Sequence, residues 1–174
     1  MKKIIIGILS LTLVFGLTAC GFGGTQEISF QGFNMEIPAS WKAESRTLSD
    51  DYAVYKKTNL TGQDFQLVLQ DTFSLLQYGD LDSAGASFKE FTEDDASYTD
   101  VSEPVAGTFA GKYDMHIIEC TYHAINVTED DGESDYPCKL IRIYMDGHDV
   151  IIEFITADGA FEAFDEALTN AVCD

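Results

Sequence analysis

The stretch that decides the fold is GFNMEIPASWK, which runs from Gly32 to Lys42. Apolar and polar residues alternate from Phe33 to Ile37, and this period of two predicts a half-buried β-strand. Pro38 predicts the end of that strand, because proline cannot donate a ladder hydrogen bond. Trp41 follows three residues later, and a tryptophan just after a strand is more typical of a lid over a core than of a ligand platform.

Further strands are predicted downstream, separated by short turns. Apolar residues recur at every second position in most of them, and Asn59-Leu60-Thr61-Gly62 and Asp146-Gly147-His148 are typical turn sequences. The predicted strands are Tyr52 to Thr58, Phe65 to Thr72, Gly107 to Phe109, Tyr113 to Ala124, Lys139 to Met145 and Val150 to Thr156.

Two segments have helical spacing instead. Each carries apolar residues three or four positions apart, and the first follows a capping aspartate, Asp80 or Asp82. The predicted buried stripes are Leu81, Ala84, Phe88 and Phe91 in the first helix, and Phe161, Phe164, Leu168 and Val172 in the second. Strands joined by short turns, with one helix in the middle and one at the end, predict an antiparallel α+β sandwich.

The N-terminus has the features of an export signal. Lys2 and Lys3 precede an apolar run from Ile4 to Leu17, which is shorter than the ~20 residues that a membrane-spanning helix needs. The run ends in Leu-Thr-Ala-Cys at residues 17–20, which resembles the lipobox of bacterial lipoproteins. That resemblance implies cleavage after residue 19 and attachment of acyl chains to the thiol of Cys20.

This N-terminus also predicts how the chain is divided and where it resides. Residues 1–19 form the signal peptide, residues 20–27 form the lipidated cysteine with a flexible tether, and residues 28–174 form one domain without repeats or linkers. Two or more acyl chains anchor a protein stably, so we expect it on the extracytoplasmic face of the cell membrane. In a bacterium with two membranes, sorting to the outer membrane is the alternative.

The charge of the chain limits the classes of partner that it can bind. The formal net charge is −20, and loss of Lys2 and Lys3 with the signal makes it −22. A domain this acidic is repelled by nucleic acid and by anionic lipid headgroups, so we expect no nucleic-acid partner.

The sequence indicates no enzyme. Nucleophile elbows, phosphate loops and His-Glu-x-x-His zinc motifs do not occur in it. His116 and Cys120 lie on one face of a predicted strand but about 13 Å apart, too far for a nucleophile and its base or for one metal ion. Cys120 is interpreted as a packed thiol and His148 as an exposed turn residue. We therefore predict no catalytic residues and no cofactor.

The cysteines allow one disulfide at most within the domain. Apart from Cys20 the thiols are Cys120, Cys138 and Cys173, an odd number. A symmetric turn near Asp131 would place Cys138 opposite Ala124, so that only a shifted register would join Cys120 to Cys138. This pair is the candidate disulfide.

An acidic loop, Thr128 to Pro137, offers hard oxygen ligands of the type that calcium prefers. Its candidate ligands are Glu129, Asp130, Asp131, Glu133 and Asp135. An EF-hand is excluded, because placing Gly132 at position six puts Val127 at position one and Cys138 at position twelve. A solvated hairpin loop is the favoured interpretation, and no dedicated metal site is predicted.

Three segments together resemble the PsbP-like family. They are GFNMEIPASWK at residues 32–42, AGTFAGKYDMHIIECTY at residues 106–122 and DVIIEFITADGAFEAFDEALTNAV at residues 149–172. That family includes an extrinsic photosystem subunit, a small Ran-GTPase-binding protein and bacterial lipoproteins of the DcrB type. The resemblance implies an α/β/α sandwich and a non-catalytic docking or assembly module, with no catalytic set to transfer.

Two functions follow from these observations. The first is a membrane-anchored binding or assembly module that holds an envelope protein or a small hydrophobic ligand. The second is an acidic lipoprotein that binds cations such as calcium or associates with the cell wall.

Overall fold

The structure is a computed structural model, and it describes residues 24–44, 50–59, 62–73, 79–124 and 134–173. These residues form an antiparallel α+β fold, as the sequence predicts. The strands are β1 Thr25–Phe30, β2 Phe33–Pro38, β3 Lys42–Ala43, β4 Tyr52–Asn59, β5 Gly62–Phe73, β6 Tyr98–Thr99, β7 Val105–Phe109, β8 Tyr113–Ala124, β9 Ser134–Tyr144, β10 His148–Thr156 and β11 Val172–Cys173. The helices are α1 Leu81–Asp94 and α2 Glu162–Thr169.

Within the described residues the strands form two antiparallel sheets. The large sheet has the order β3-β4-β5-β10-β9-β8-β6, and β7 pairs with β8 on the same edge as β6. The small sheet has the order β1-β2-β11. α2 and the small sheet cover one face of the large sheet, and α1 covers part of the other face. The predicted α/β/α arrangement is therefore confirmed.

The opening segment forms the second strand of a tight hairpin. Phe30 pairs with Phe33 across Gln31 and Gly32, which have φ values of 46° and 80°. A two-residue turn with both φ values positive matches the right-handed twist of the strands that it joins, and it favours glycine. β1 begins at Thr25, three residues before Ile28, the first residue of the predicted domain. Pairing with β2 explains this, since the ladder runs from Thr25 opposite Pro38.

The main core lies between the large sheet and the layer formed by α2 and the small sheet. Trp41 is 4% exposed and packs on Phe65 and Phe154, with ring centroids 4.2 and 5.3 Å away. Phe154 also stacks on Phe164 of α2 at 4.6 Å. The prediction of Trp41 as a core lid is confirmed, and this aromatic stack ties the opening segment to the last helix.

α1 packs against the opposite face of the large sheet. Asp80 caps it by accepting a 2.7 Å hydrogen bond from the backbone N–H of Ser83, and Phe88 packs against Ile118 and Leu140. The prediction of Phe91 in the buried stripe is wrong, because Phe91 is 62% exposed. The residues of α1 that face the sheet are Ala84, Gly85, Phe88 and Thr92. The hydroxyl of Thr92 donates to the carbonyl of Phe88, which allows a polar residue to be buried there.

The C-terminal helix is shorter than predicted. α2 ends at Thr169, and the backbone N–H groups of Asn170 and Ala171 close its last turn on Glu166 and Leu168. Val172 then belongs to β11 and is 57% exposed, so its assignment to the helical stripe is wrong. Pairing of Val172 with Asn34 of β2 has overridden the helical spacing.

Gly85 gives the first prediction. A Cβ atom there would lie 2.6 Å from Nε2 of His116, whose Nδ1 is hydrogen-bonded to the hydroxyl of Tyr144 at 2.9 Å. Replacing glycine by alanine inside a helix normally stabilises by ~1 kcal/mol, whereas overpacking costs ~1–3 kcal/mol. We expect Gly85→Ala to lower the free energy of unfolding in urea.

The His116→Ala background is the control for this effect. Once the ring is absent, the same Gly85→Ala change should no longer destabilise the protein. A stabilising effect in the wild-type background would show that the sheet does not constrain the helix at this point.

Glu153 gives a second prediction, concerning pH. Burial raises the pKa of its carboxyl above the ordinary value of 4.5, against the opposing effect of a 2.7 Å hydrogen bond from Tyr98. The folded protein therefore binds this proton more tightly than the unfolded chain. The stability that Glu153 contributes is present below pH 4.5 and is lost as pH rises through the folded-state pKa.

We expect Glu153→Gln to raise the melting temperature at pH 7.5 and to match the wild type near pH 4. Thermal melts across this range test the expectation, with Glu90→Gln on the exposed side of α1 as the matched control. A difference that stays constant with pH would contradict the assigned cause.

Candidate functional site

A groove of about 540 Å³ lies between α2 and the β7–β8 hairpin. Its floor contains Met115, Ile117 and Leu168, which are partly buried and pack against the main core. Thr108 and Thr169 are exposed at its rim. An apolar floor with a polar rim is the usual composition of a binding groove.

The charged group at this groove already has a partner. Asp165 forms an ion pair with Lys139 at 2.7 Å. Lys139 is only 7% exposed, and its ammonium also lies 4.6 Å from the centre of the Phe161 ring. Asp165 therefore holds α2 to β9 beneath the groove. This leaves the apolar floor and the backbone of the neighbouring strand as the contact groups.

That neighbouring strand, β7, is paired on one side only in the described part of the chain. Backbone groups of successive residues in a strand point to alternate sides. The carbonyl of Glu119 accepts from the N–H of Ser102, so odd-numbered residues of β8 point toward this edge. Their partners in β7 include Gly107, opposite Met115, and consequently Ala106 and Thr108 direct their N–H and C=O groups outward.

The side of the sheet under α1 carries a buried polar layer. The Nε of Arg142 donates to Asp149 at 2.9 Å, and their side chains are 4% and 0% exposed. The guanidinium also lies 5.8 Å from the ring centre of Phe88. Because removing either partner would leave a buried charge without its counter-ion, this pair constrains how β9, β10 and α1 assemble.

His116 belongs to the same layer. It is 3% exposed, and burial lowers its pKa against the opposing effect of Asp82 and Asp114, which favours the neutral imidazole. Its partner is the hydroxyl of Tyr144, whose own pKa burial raises to about 12. Cys120, on the same strand face, meets Cys138 instead. The structure thus gives His116 and Cys120 separate partners, and both are packed beneath α1.

A second cavity, of about 370 Å³, lies beside the β9–β10 turn. Asp51, Asp71 and His148 line it, and neither Oδ1 of Asp71 nor Nε2 of His148 has a hydrogen-bond partner among the described residues. His148 was predicted to be simply exposed, but it is half-buried because it begins β10 and pairs with Phe73. Across the described ranges, no three His, Cys, Asp or Glu side chains converge on a point that could hold a metal ion.

Most residues of the predicted sites lie outside the described residues. They are Cys20, Glu129, Asp130, Asp131 and Glu133. Asp135 is described, and its carboxylate is 2.5 Å from Nδ1 of His123 on the opposite strand. The interpretation of this loop as a solvated hairpin, with calcium binding as the alternative, stays a prediction. Among the helices that the structure describes, none combines the length and apolar character needed to cross a membrane.

The register of β8 and β9 differs from the expected one. Cys138 pairs with Cys120, and not with Ala124, so the ladder is symmetric about position 129 and not about position 131. This register places Ile118 opposite Leu140 and Ile117 opposite Ile141, so that both faces of the hairpin bury apolar pairs. Cys120 and Cys138 both carry thiols in this structure.

The fold is similar to that of two solved structures at low sequence identity. The Ran-binding protein Mog1p of Saccharomyces cerevisiae matches with a TM-score of 0.59 and 11% identity, over 87% of this chain and 96% of that one. Cyanobacterial PsbP (CyanoP) of Synechocystis sp. PCC 6803 matches with a TM-score of 0.57 and 15% identity, over 91% and 99%. No protein-family model and no curated protein sequence matches the chain. The chain therefore has the PsbP-like α+β fold that these two structures share.

Proposed function

We propose that this chain is a membrane-anchored, extracytoplasmic lipoprotein whose domain is a non-catalytic module that binds a protein partner. The observation that carries the proposal is the groove beside β7, where an apolar floor adjoins outward-facing backbone groups. An extended segment can add to such an edge as a further strand and place alternate side chains in the groove.

The chemistry of the partner segment follows from charge. The chain has a net charge of −20, and Asp114 is exposed at one end of β7, while Glu103 at the other end is ion-paired with Lys89. A second copy of the chain would meet the same negative charge, whereas a basic segment would be attracted to it. We therefore propose a basic, extended segment of another envelope protein as the occupant.

The fold supports a binding role. Mog1p, which has this fold, is described as a Ran-binding protein. The N-terminal sequence supports the anchor, since the lipobox-like residues 17–20 end in Cys20. A short tether would keep the domain within ~25 Å of the membrane.

The anchor has a direct test. We expect Cys20→Ala to move the protein from the membrane fraction into the medium or periplasm, because no acyl chain can be attached without the thiol. Fractionation with immunoblotting and intact mass measure this, and Cys173→Ser serves as the matched cysteine control. A Cys20→Ala variant that remains membrane-bound would contradict the anchor and leave the groove untouched as a hypothesis.

The groove is tested by site-specific photo-crosslinking in intact cells. A photoreactive residue at Thr108 should give a discrete adduct with another protein, and one at Phe91, exposed on the opposite helix, should not. Adding Ile117→Lys should reduce the Thr108 adduct at least tenfold, because it places a positive charge in the apolar floor opposite a basic segment.

Three outcomes would overturn this site. They are equal adducts from Thr108 and Phe91, an adduct between two copies of the chain, and an adduct unaffected by Ile117→Lys. Thermal melts must show that the Ile117→Lys domain is folded, and a Leu168→Lys variant provides a second change on the α2 side of the same groove.

A further inference from the structure

Cys120 and Cys138 are directly opposite one another in the β8–β9 hairpin. They lie in one buried cluster with Phe88 and Ile118, and they are 8% and 1% exposed. Directly opposite residues direct their side chains to the same face, so the two thiols face each other within this cluster. The third thiol of the domain, Cys173, is in β11 opposite Phe33, in the other sheet.

The backbone geometry places this pair within reach of a disulfide. The backbone carbonyl of Glu119 faces Ser102, so the backbone groups of Cys120 face the opposite side, toward β9. The Cys120–Cys138 pair is therefore a hydrogen-bonded pair of the ladder. Such pairs have Cα atoms about 5.5 Å apart, within the range of about 4.4–6.8 Å found across disulfides. Their Cβ atoms must approach by about 1 Å for the bond to form.

We propose that Cys120 and Cys138 form a cross-strand disulfide when the chain meets a small-molecule disulfide or a disulfide-bearing oxidoreductase. One thiolate attacks the oxidant, forms a mixed disulfide and releases one thiolate of the oxidant. The second cysteine thiolate then attacks the sulfur of the first, which closes the Cys120–Cys138 bond and releases the other thiolate. Two protons leave the cysteines, and the two electrons reduce the oxidant to two thiols.

The packing determines when this step occurs. The thiolate is the reactive form, and hydrogen bonding to Cys120 together with burial raises the pKa of the Cys138 thiol. The folded hairpin therefore protects both thiols from oxidants. Oxidation takes place while the hairpin is open, either during folding or when β8 and β9 separate transiently.

The closed bond would fasten the hairpin at a defined point. Four ladder pairs, from Thr121–Pro137 to Ala124–Ser134, lie between the cysteines and the connecting loop. The bond would hold this end of the hairpin in register, independently of the packing of α1. An exported protein meets oxidants that a cytosolic one does not, which is consistent with the proposed location.

The test uses the full-length Cys20→Ala chain, reduced in denaturant and then refolded in a buffer of reduced and oxidised glutathione. Free thiols are alkylated in denaturant, and the digest is analysed by mass spectrometry. We expect a linked peptide pair containing Cys120 and Cys138, with Cys173 alkylated. When the reduced protein is folded first and is then exposed to the same glutathione buffer, the linkage should form at least tenfold more slowly. Moderate urea should accelerate it.

Matched variants decide the pairing. Cys173→Ser should retain the linkage, and Cys138→Ser should abolish it and leave Cys120 alkylated. Alkylation of both Cys120 and Cys138 after refolding, or linkage of either to Cys173, would overturn the proposal. Because neither a membrane nor a partner is involved, failure here is distinct from failure of the proposed binding function.

Discussion

The structure depends on the two-sided burial of β9 and β10. Every residue from Cys138 to Met145 is buried, although the segment includes Lys139 and Arg142. Charges in such a position require counter-ions, and each face supplies one: Asp165 on α2 for Lys139, and Asp149 on β10 for Arg142. The Arg142–Asp149 pair is buried completely beneath α1, whereas α2 covers Lys139 and leaves the side chain of Asp165 52% exposed. A helix on each face therefore buries one of the two cations.

Much of the local structure could be predicted from the sequence, because strand alternation and helix capping are local properties. β2 and β8 agree closely with the prediction, and Asp80 caps α1 as expected. Two of the failures come from non-local pairing. Val172 has helical spacing but pairs with β2, and the register of β8 with β9 depends on which apolar residues meet across the sheet. Neither fact is contained in a single window of sequence.

The candidate groove could not be predicted from the sequence, for a related reason. Its walls come from the β7–β8 hairpin and from α2, which follows tens of residues later in the chain, and its lining is ordinary in composition. The outward-facing groups of Ala106 and Thr108 belong to the backbone, and their direction follows only from the pairing of β7 with β8. By contrast, His116 and Cys120, which attract attention in the sequence, are packed beneath α1 with partners of their own.

The β1–β2 hairpin also affects the distance between the groove and the proposed membrane anchor. Its open end holds Thr25, where the chain leads back toward the proposed anchor, and its closed end places Phe33 5.0 Å from Phe109, beside the groove. Six residues of extended strand span about 20 Å. If the chain is anchored at Cys20 as proposed, the hairpin would act as a rigid spacer between the anchor and the groove. A partner would be held at a distance from the lipid surface that a longer tether could increase but a shorter one could not abolish.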